Sequence, residues 1–201
     1  MLATKRQTSE VRRRELIDEA RKIVASRGME GLTIKNIARA VGISEGAIYR
    51  HFRGKNEILV GLVDEVGEVI EELVRKAEED AQSPLEKLEA LLKEHLSSAE
   101  RRHGVSFLVI AEVLRNGNPH LRHRMQGVIN SYLAKVEEIL EDGVRHGQIN
   151  PECNINAAAI VFFGLIQGAV ILWRFASPEL PLAERYQVLW QIYRDGVVRA
   201  G

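Results

Sequence analysis

Apolar residues recur every three to four positions along most of the chain, which is the spacing of one face of an α-helix. We find no run in which apolar and polar residues alternate, as they would in a half-buried strand. The pattern therefore predicts an all-α protein with nine helices. Their approximate ranges are 8–25, 34–41, 44–52, 56–81, 83–102, 105–115, 119–146, 154–176 and 182–199.

The predicted helix ends carry residues suited to capping. Thr33 and Ser44 each precede an apolar run, and a hydroxyl at this position accepts a backbone N–H of the first turn. Ser83 is followed by Pro84 at the first helical position, where the missing N–H of proline is not needed. A Ser-Pro turn at residues 177–178 separates the last two predicted helices.

Charge divides the chain into two parts. The formal net charge is zero, but residues 1–55 carry 13 Lys and Arg against 6 Asp and Glu, a net of +7. The remaining residues, 56–201, carry 15 against 22, a net of −7. A basic head on an acidic body is typical of a protein that binds a polyanion with one end, although chance can also distribute charge unevenly. We predict a two-part architecture, with a DNA-binding head at 1–55 and a larger ligand-binding and dimerisation bundle at 56–201.

Residues 33–52 have the pattern of two short helices joined by a tight turn that contains glycine. Such a helix-turn-helix unit lays its second helix in the major groove of DNA. Small side chains on that helix let its backbone approach the base edges, a methyl group suits thymine, and a carboxylate accepts from the amino group of cytosine. The outward-facing residues that we predict to read bases are Ser44, Glu45, Gly46, Ala47 and Arg50.

A second set of residues suits contacts with DNA phosphates. Thr33 lies at a helix N-terminus, where backbone N–H groups and a hydroxyl converge on an anion. We expect the Tyr49 hydroxyl to face the groove and Phe52 to pack in the core. The predicted phosphate-binding residues are Thr33, Lys35, Tyr49, His51 and Lys55. Two interpretations, nonspecific attraction to DNA or solvation of the first helix, stay open for Lys5, Arg6, Arg12, Arg13 and Arg14.

One extended motif runs through the predicted head. It comprises Gly31-Leu32-Thr33, Ile37-Ala38 and Gly42-Ile43-Ser44-x-Gly46-x-Ile48-Tyr49-x-His51-Phe52-x-x-Lys55-x-x-Ile58-Leu59. In order and spacing this motif resembles the signature of TetR-family repressors, and nine helices in about 200 residues fit that family as well.

The resemblance implies a homodimer that binds a palindromic double-stranded DNA operator with one head per half-site. A small-molecule effector in the body would change the spacing of the heads and release the DNA. The family pattern places phosphate contacts at Thr33, Tyr49, His51 and Lys55 and base contacts at Ser44, Gly46 and Ala47. Glu45 departs from the basic or neutral residue often found at its position, so the operator sequence does not follow from the resemblance.

Residues 157–173 are apolar on every side. A membrane span needs about 20 such residues, so this shorter run, which contains Gln167, favours a helix buried on all faces and no membrane partner. Burial on all faces requires the chain's own bundle on one side and, we predict, the same helix of a second subunit on the other. The residues that we predict at this homodimer interface are Gly164, Gly168, Leu189 and Tyr193.

The middle helices of the body are candidates for an effector pocket. Their apolar and aromatic residues would suit a hydrophobic or amphipathic small molecule, although plain core packing is the better explanation of any single residue among them. The candidate pocket residues are Phe107, Ile110, Met125, Ile129, Tyr132, Phe162, Phe163 and Ile166.

Other functional classes find little support in the sequence. It contains no phosphate-binding glycine loop, HExxH motif, nucleophile elbow or paired cysteines, so we predict a protein that is not an enzyme and has no cofactor. His120 and His123 lack a third ligand, so no metal site is predicted. A lone Cys153 and no N-terminal apolar stretch favour a cytoplasmic protein. The main alternative to a repressor is a nucleoid-associated or adaptor protein with the same head and no small-molecule switch.

Overall fold

The computed structural model describes residues 9–176 and 181–198. Within these ranges the chain forms nine α-helices, two short 3-10 helices and no strand, so the predicted fold class is confirmed. The α-helices are α1 Ser9–Arg27, α2 Ile34–Val41, α3 Glu45–Ile48, α4 Lys55–Asp80, α5 Pro84–Arg101, α6 Val105–Asn116, α7 Pro119–Arg145, α8 Ile155–Phe175 and α9 Tyr186–Val197.

Most helix boundaries agree with the prediction because local chemistry sets them. Thr33, Ser44 and Ser83 each accept a backbone N–H of the turn that follows, as an N-cap does. Ser83 and Glu86 form a complete capping box around Pro84. The Ser-Pro break at residues 177–178 and the basic residues Lys5 and Arg6 lie outside the described residues.

Two predicted helices were wrong in length. We predicted the third helix to reach Phe52, but α3 ends at Ile48 and residues 49–51 continue as turns. There the N–H of His51 returns to the carbonyl of Ile48, a tighter bond than that of an α-helix. The last helix was predicted from residue 182, whereas residues 183–185 form a 3-10 turn and α9 begins at Tyr186.

Two apolar clusters form the interior. The head cluster joins α1, α2 and α3 to the first half of α4, to α6 and to the start of α7. The body cluster joins the second half of α4 to α5, α7, α8 and α9. The predicted domain boundary at residue 55 coincides with the start of α4, but the apolar packing of the head continues past it into α4, α6 and α7.

Close packing fixes the head on the body. Helix α1 contacts α2, α4 and α6. At the crossing with α4, Gly61 leaves room for the side chain of Ile17, since a Cβ at this glycine would collide with it. Residues of α4 such as Leu59, Leu62 and Val63 are fully buried in the same cluster. Helix α4 is therefore shared by the head and the body.

Candidate nucleic-acid interface and effector cavity

The turn between α2 and α3 determines where α3 points. Gly42 ends α2 with φ +72° and ψ 33°, a left-handed conformation that glycine adopts without steric cost. Its N–H bonds back to the last turn of α2, and the N–H of Ile43 donates to Ala38. Ile37 and Ile48 are almost fully buried between the two helices. These contacts present one face of α3 to solvent.

The residues predicted to read bases lie together on this solvent-facing side. Ser44, Glu45, Gly46 and Arg50 are exposed, and Ala47 is half-buried. The hydroxyl of Ser44 accepts the N–H of Ala47 at 3.2 Å, so this side chain also caps α3. No Cβ added at Gly46 would meet a neighbouring atom closer than 3.9 Å, so its surroundings are open.

The residues predicted to bind phosphates surround the same face. Thr33 and Lys35 are exposed at the start of α2, and Tyr49 is 55% exposed just beyond α3. His51 and Lys55 are half-buried. The Nζ of Lys55 donates to the carbonyl of Met29 at 3.4 Å, and the Nδ1 of His51 lies 3.5 Å from the Oγ of Ser9. Phe52 is buried, as expected from the sequence.

Arg13 has a structural role that the sequence did not reveal. Its guanidinium donates to the backbone carbonyl of His51 at 2.7 Å and lies 4.3 Å from the centre of the Phe52 ring. It also lies 3.8 Å from a carboxylate oxygen of Glu57. Arg13 therefore joins α1 to the end of the α3 turn and to α4, which holds the exposed face in place. The arginine run contained no signal that separated this residue from its two neighbours.

An enclosed cavity lies at the seam between the two apolar clusters. Val66, Val105 and Met125 line it from the head cluster, while Ile166 and Val170 line it from the body cluster. Six of the eight predicted pocket residues contribute to its wall: Phe107, Ile110, Met125, Ile129, Phe163 and Ile166. Its volume of about 30 Å³ holds about two water molecules.

Two of the predicted pocket residues, Phe162 and Tyr132, do not line this cavity. Phe162 packs edge-on against Tyr193 in the body cluster, with ring centroids 5.1 Å apart. Tyr132 borders an open groove between α4 and α7 rather than the cavity. The groove and the cavity share the walls formed by Ile70 and Val128. A single layer of side chains therefore separates the cavity from the surface groove.

The cavity wall also contains polar residues that sequence periodicity did not single out: His95, Ser98, Arg102, Ser106 and Gln167. His95 is buried, and its Nδ1 lies 3.1 Å from the hydroxyl of Tyr132. Burial lowers the pKa of His95 from 6.5 to about 4, so the imidazole is neutral at physiological pH. Burial raises the pKa of the Tyr132 hydroxyl, which therefore stays protonated.

The outer faces of α8 and α9 expose large apolar side chains. On α8 the exposed side includes Val161, Gly164, Leu172 and Phe175, which follow helical spacing, and on α9 it includes Val188 and Ile192. Among the described residues α8 is long and apolar enough to span a membrane, but its other face, with Phe162 and Ile166, is a fully buried core stripe. We call this exposed surface of α8 and α9 the α8–α9 face.

The predicted interface residues divide between the two sides of α8 and α9. Gly164 is exposed, and Gly168 and Leu189 are half-buried. Tyr193 was assigned wrongly, because it is 4% exposed and its hydroxyl donates to the carbonyl of Ala158 within the same chain. Tyr193 lies on the side of α9 that faces the chain's own core, whereas the exposed residues Val188 and Ile192 lie on another side of the same helix.

The residues considered for metal or redox chemistry do not form a site. Within residues 9–176 and 181–198, no three His, Cys, Asp or Glu side chains lie close enough to hold a metal ion. His120 and His123 are both exposed on α7. Cys153 is half-buried, and burial raises the pKa of its thiol, which lowers its reactivity.

Comparison with known sequences covers nearly the whole chain. The family profile "Bacterial regulatory proteins, tetR family" matches residues 16–62. The profile "YsiA-like protein, C-terminal region", which is a TetR-type C-terminal family, matches residues 62–194. Together the two profiles include the helix-turn-helix unit, the cavity and most of the α8–α9 face.

Individual relatives agree with these profiles. The fatty acid metabolism regulator protein of Bacillus subtilis (strain 168) is 29% identical over 184 residues, covering 91% of this chain and 94% of that protein. The nucleoid occlusion factor SlmA of Aliivibrio fischeri (strain MJ11) is also 29% identical over 184 residues, covering 90% and 93%. The transcriptional regulator FadR from Bacillus subtilis, solved in complex with stearoyl-CoA, superposes with a TM-score of 0.80 at 25% identity, covering 92% and 98%.

The helix-turn-helix head and the helical body together have the fold of the FadR structure from Bacillus subtilis. The relatives are regulators of transcription or DNA-associated factors rather than enzymes. We conclude that this chain belongs to the tetR family of bacterial regulatory proteins and is a DNA-binding transcriptional regulator.

Proposed function

We propose that this protein is a cytoplasmic repressor that binds a palindromic operator as a homodimer and releases it when a long-chain acyl thioester enters the body. It acts by binding and carries out no catalysis. The observation that carries the proposal is the cavity at the seam of the two apolar clusters, because a ligand placed there contacts both the head packing and the body packing.

The head supplies the DNA contacts in this proposal. Exposed Thr33, Lys35 and Tyr49 hold phosphates together with His51 and Lys55, and the exposed side of α3 reaches the base edges in the major groove. The small residues Gly46 and Ala47 let the backbone approach closely. Only four residues of α3 are α-helical, so the following turn with Tyr49 and Arg50 extends the surface along the groove.

The α8–α9 face supplies the dimer contact. The apolar side chains of Val161, Leu172 and Ile192 are each more than half exposed, and clusters of exposed apolar residues often mark protein interfaces. The two-fold contact of a dimer places the same surface of both chains against each other, so this face pairs with itself. Gly164 and Gly168 on α8 lack side chains and permit a close approach of the two α8 helices.

The nature of the effector is inferred from the cavity and from a relative. The cavity wall is mostly apolar with a few polar groups, which suits an amphipathic molecule with a long apolar chain. A relative with the same fold was solved with stearoyl-CoA. At about 30 Å³ the cavity must widen before an acyl chain fits, and Ile70 and Val128 are the walls beyond which the surface groove begins.

Widening of the cavity gives the ligand its effect. A ligand shifts a protein only toward the state that it binds better. Because the cavity lies between the apolar clusters, the widened state changes the packing of α4 and α6 against α1. The head positions in the dimer then no longer match the operator, and the DNA is released.

A second candidate function is a nucleoid-associated factor without a small-molecule switch. The similarity to SlmA over 184 residues and the small volume of the cavity favour this alternative. It predicts the same DNA-binding head and dimer, and it differs only in the absence of a response to acyl thioesters.

The test uses the full chain and genomic DNA fragments selected by the protein itself. We expect stearoyl-CoA at micromolar concentration to release the selected DNA in a fluorescence anisotropy titration. CoA without an acyl chain serves as the control and should leave the complex intact. Release by neither compound, with tight DNA binding retained, would favour the nucleoid-associated function. Failure to select any DNA sequence would contradict both functions.

A further inference from the structure

A half-buried ionic link connects the cavity to the head. Glu65 lies on α4, and its Oε1 accepts a hydrogen bond from Nη2 of Arg102, the residue at the end of α5. The Nε of Arg21 on α1 lies 3.1 Å from the same oxygen. One carboxylate oxygen therefore holds a guanidinium from the head and a guanidinium from the cavity wall.

On both sides of each pair, this link is more shielded from water than most ion pairs among the residues that the structure describes. The side chains of Arg21, Glu65 and Arg102 are 20%, 20% and 24% exposed. In the pair of Arg75 with Glu79 the side chains are 52% and 59% exposed. Water screens a shielded pair less, so removal of one partner has a larger effect.

Arg102, which contributes to the cavity wall, has hydrogen-bonding capacity left over. Its Nε is buried without a hydrogen-bond partner among the residues that the structure describes. Buried donors are normally paired, and a guanidinium offers five N–H groups in a fixed fork. Glu65 is the one carboxylate within ion-pair distance of Arg102 in the described part of the chain.

We propose that Arg102 is the polar anchor of the effector and that its capture by the thioester carbonyl oxygen weakens the Arg102–Glu65–Arg21 link to the head. This inference rests on the proposed function, because it assumes that the acyl thioester occupies the cavity. The carbonyl is the polar atom at the head of an otherwise apolar chain, and it is an acceptor that matches the free donor. The phosphates of CoA stay outside this small, mostly apolar space.

The signal follows from the rigidity of the guanidinium, because its Nε donor and the Nη2 donor that holds Glu65 lie in one plane and turn together. A guanidinium that turns toward a ligand oxygen loses its alignment with the Oε1 of Glu65. Glu65 then keeps Arg21 alone, and the tie from the end of α5 to α1 is broken. The two ends of the link are thus coupled: a bound effector lowers the affinity for DNA, and bound DNA lowers the affinity for the effector by the same factor.

The first arm of the test needs no ligand. We expect Glu65→Gln to weaken operator binding about fivefold in the ligand-free protein, because α1 loses its tie to α5. Asp64→Asn is the matched control: its partner is Arg124 on α7, it makes the same change of charge one residue away, and it should leave operator binding unchanged. Equal operator affinities for the two variants would overturn the link between Glu65 and the head.

The second arm tests the anchor by a chemical cycle. Binding of stearoyl-CoA and of the S-octadecyl thioether of CoA, which lacks the carbonyl oxygen, is measured by calorimetry with the wild type and with Arg102→Gln. We expect the wild type to prefer the thioester by about tenfold and the variant to show no preference. The same preference in both proteins would overturn the role of Arg102.

The two arms separate this inference from the proposed function. If neither CoA compound binds the wild type, the proposed effector is wrong, and so is the anchor role of Arg102. Operator binding by ligand-free Glu65→Gln still tests whether the ionic link supports the head. If stearoyl-CoA releases DNA from Arg102→Gln as readily as from the wild type, the proposed function stands and the inference fails. Circular dichroism melting curves identify any variant that does not fold, and Arg102→Lys, which retains a charge with a single point of contact, then replaces Arg102→Gln in the cycle.

Discussion

At the scale of single residues, several side chains of the head combine a structural contact with a proposed contact to DNA. Thr33 and Ser44 accept backbone N–H groups as caps, and their hydroxyl protons remain able to donate to a phosphate or a base. Tyr49 differs from them because its ring projects into solvent at 55% exposure. Substitution of Thr33 or Ser44 would remove a helix cap and affect folding, whereas substitution of Tyr49 tests the contact with DNA alone.

We therefore expect Tyr49→Phe to weaken operator binding severalfold and to leave the melting temperature unchanged. The substitution removes one hydroxyl from an exposed ring, so the fold loses nothing that it uses. Anisotropy titrations at physiological salt provide the measurement. Tyr186→Phe, which alters a half-buried tyrosine of the body, is the control, and an affinity of Tyr49→Phe equal to that of this control would remove Tyr49 from the interface.

A second prediction at this scale concerns His95. Burial lowers its pKa to about 4, while in the unfolded chain it titrates near 6.5. Between these pH values the unfolded chain binds more protons, so the free energy of unfolding falls as the pH is lowered from about 6.5 toward 4, by about 1 kcal/mol per pH unit from this residue. Urea unfolding of the wild type and of His95→Gln at several pH values measures the difference.

The variant should show a flatter dependence on pH in that window. Carboxylates titrate in the same range, so only the difference between the proteins is informative. His120→Gln, at an exposed position on α7, serves as the control and should retain the slope of the wild type. Identical slopes for His95→Gln and the wild type would contradict the assignment to His95.

At the scale of helices, the ends follow local chemistry, and α5 is the clearest case. Ser83 accepts the N–H of Glu86, and Glu86 accepts the N–H of Ser83. The backbone N–H groups of Gln82 and Ser83 both donate to the carboxylate of Glu86 and lower its pKa. This group is therefore charged at neutral pH and suits the positive end of the helix dipole. The cap fixes the start of the helix whose other end carries Arg102.

We expect Ser83→Ala to lower the free energy of unfolding by about 1 kcal/mol, since one N–H of the first turn loses its partner. Urea denaturation followed by circular dichroism measures this loss. Ser131→Ala makes the same substitution at an exposed position inside α7, where alanine favours the helix, and should not destabilise the protein. A loss in both variants of equal size would show that the capping box has no special role.

At the scale of the whole molecule, two apolar clusters share α4, and a cavity lies between them. This arrangement lets a ligand of the body act on the head without a separate hinge. The exposed α8–α9 face completes the assembly, because two heads in fixed relation are required to match a palindromic operator. The function that we propose depends on both features together.

We expect the double variant Val161→Asp, Ile192→Asp to sediment as a monomer at micromolar concentration and to lose tight operator binding. The two carboxylates would be buried against each other and against apolar groups of the partner, which opposes association. Leu114→Asp is the control, since Leu114 is similarly exposed but lies on α6, away from the α8–α9 face. A dimeric double variant would place the interface elsewhere.

Much of this protein follows from the sequence alone. The helical period, the caps at Thr33, Ser44 and Ser83, and the glycine turn at Gly42 are local features, so the elements and the helix-turn-helix unit were predictable. The exposure of Tyr49 and the burial of Phe52 were expected as well, but helical spacing does not separate them, because residues three apart share one face of an α-helix; the turn after α3 places them differently. Charge and motif spacing indicated the DNA-binding class because each depends on residues close in the chain.

The tertiary structure alone decided which faces met. Periodicity identified an apolar stripe on α9 but not its partner, so Tyr193 was assigned to a second subunit although its hydroxyl binds Ala158 in the same chain. Phe162 and Tyr132 were placed in the cavity for the same reason. The link of Arg21, Glu65 and Arg102 joins three helices far apart in sequence, and no local pattern contains it. The helical period specifies on which side of its helix a residue lies, while its contacts depend on how helices that are distant in sequence pack together.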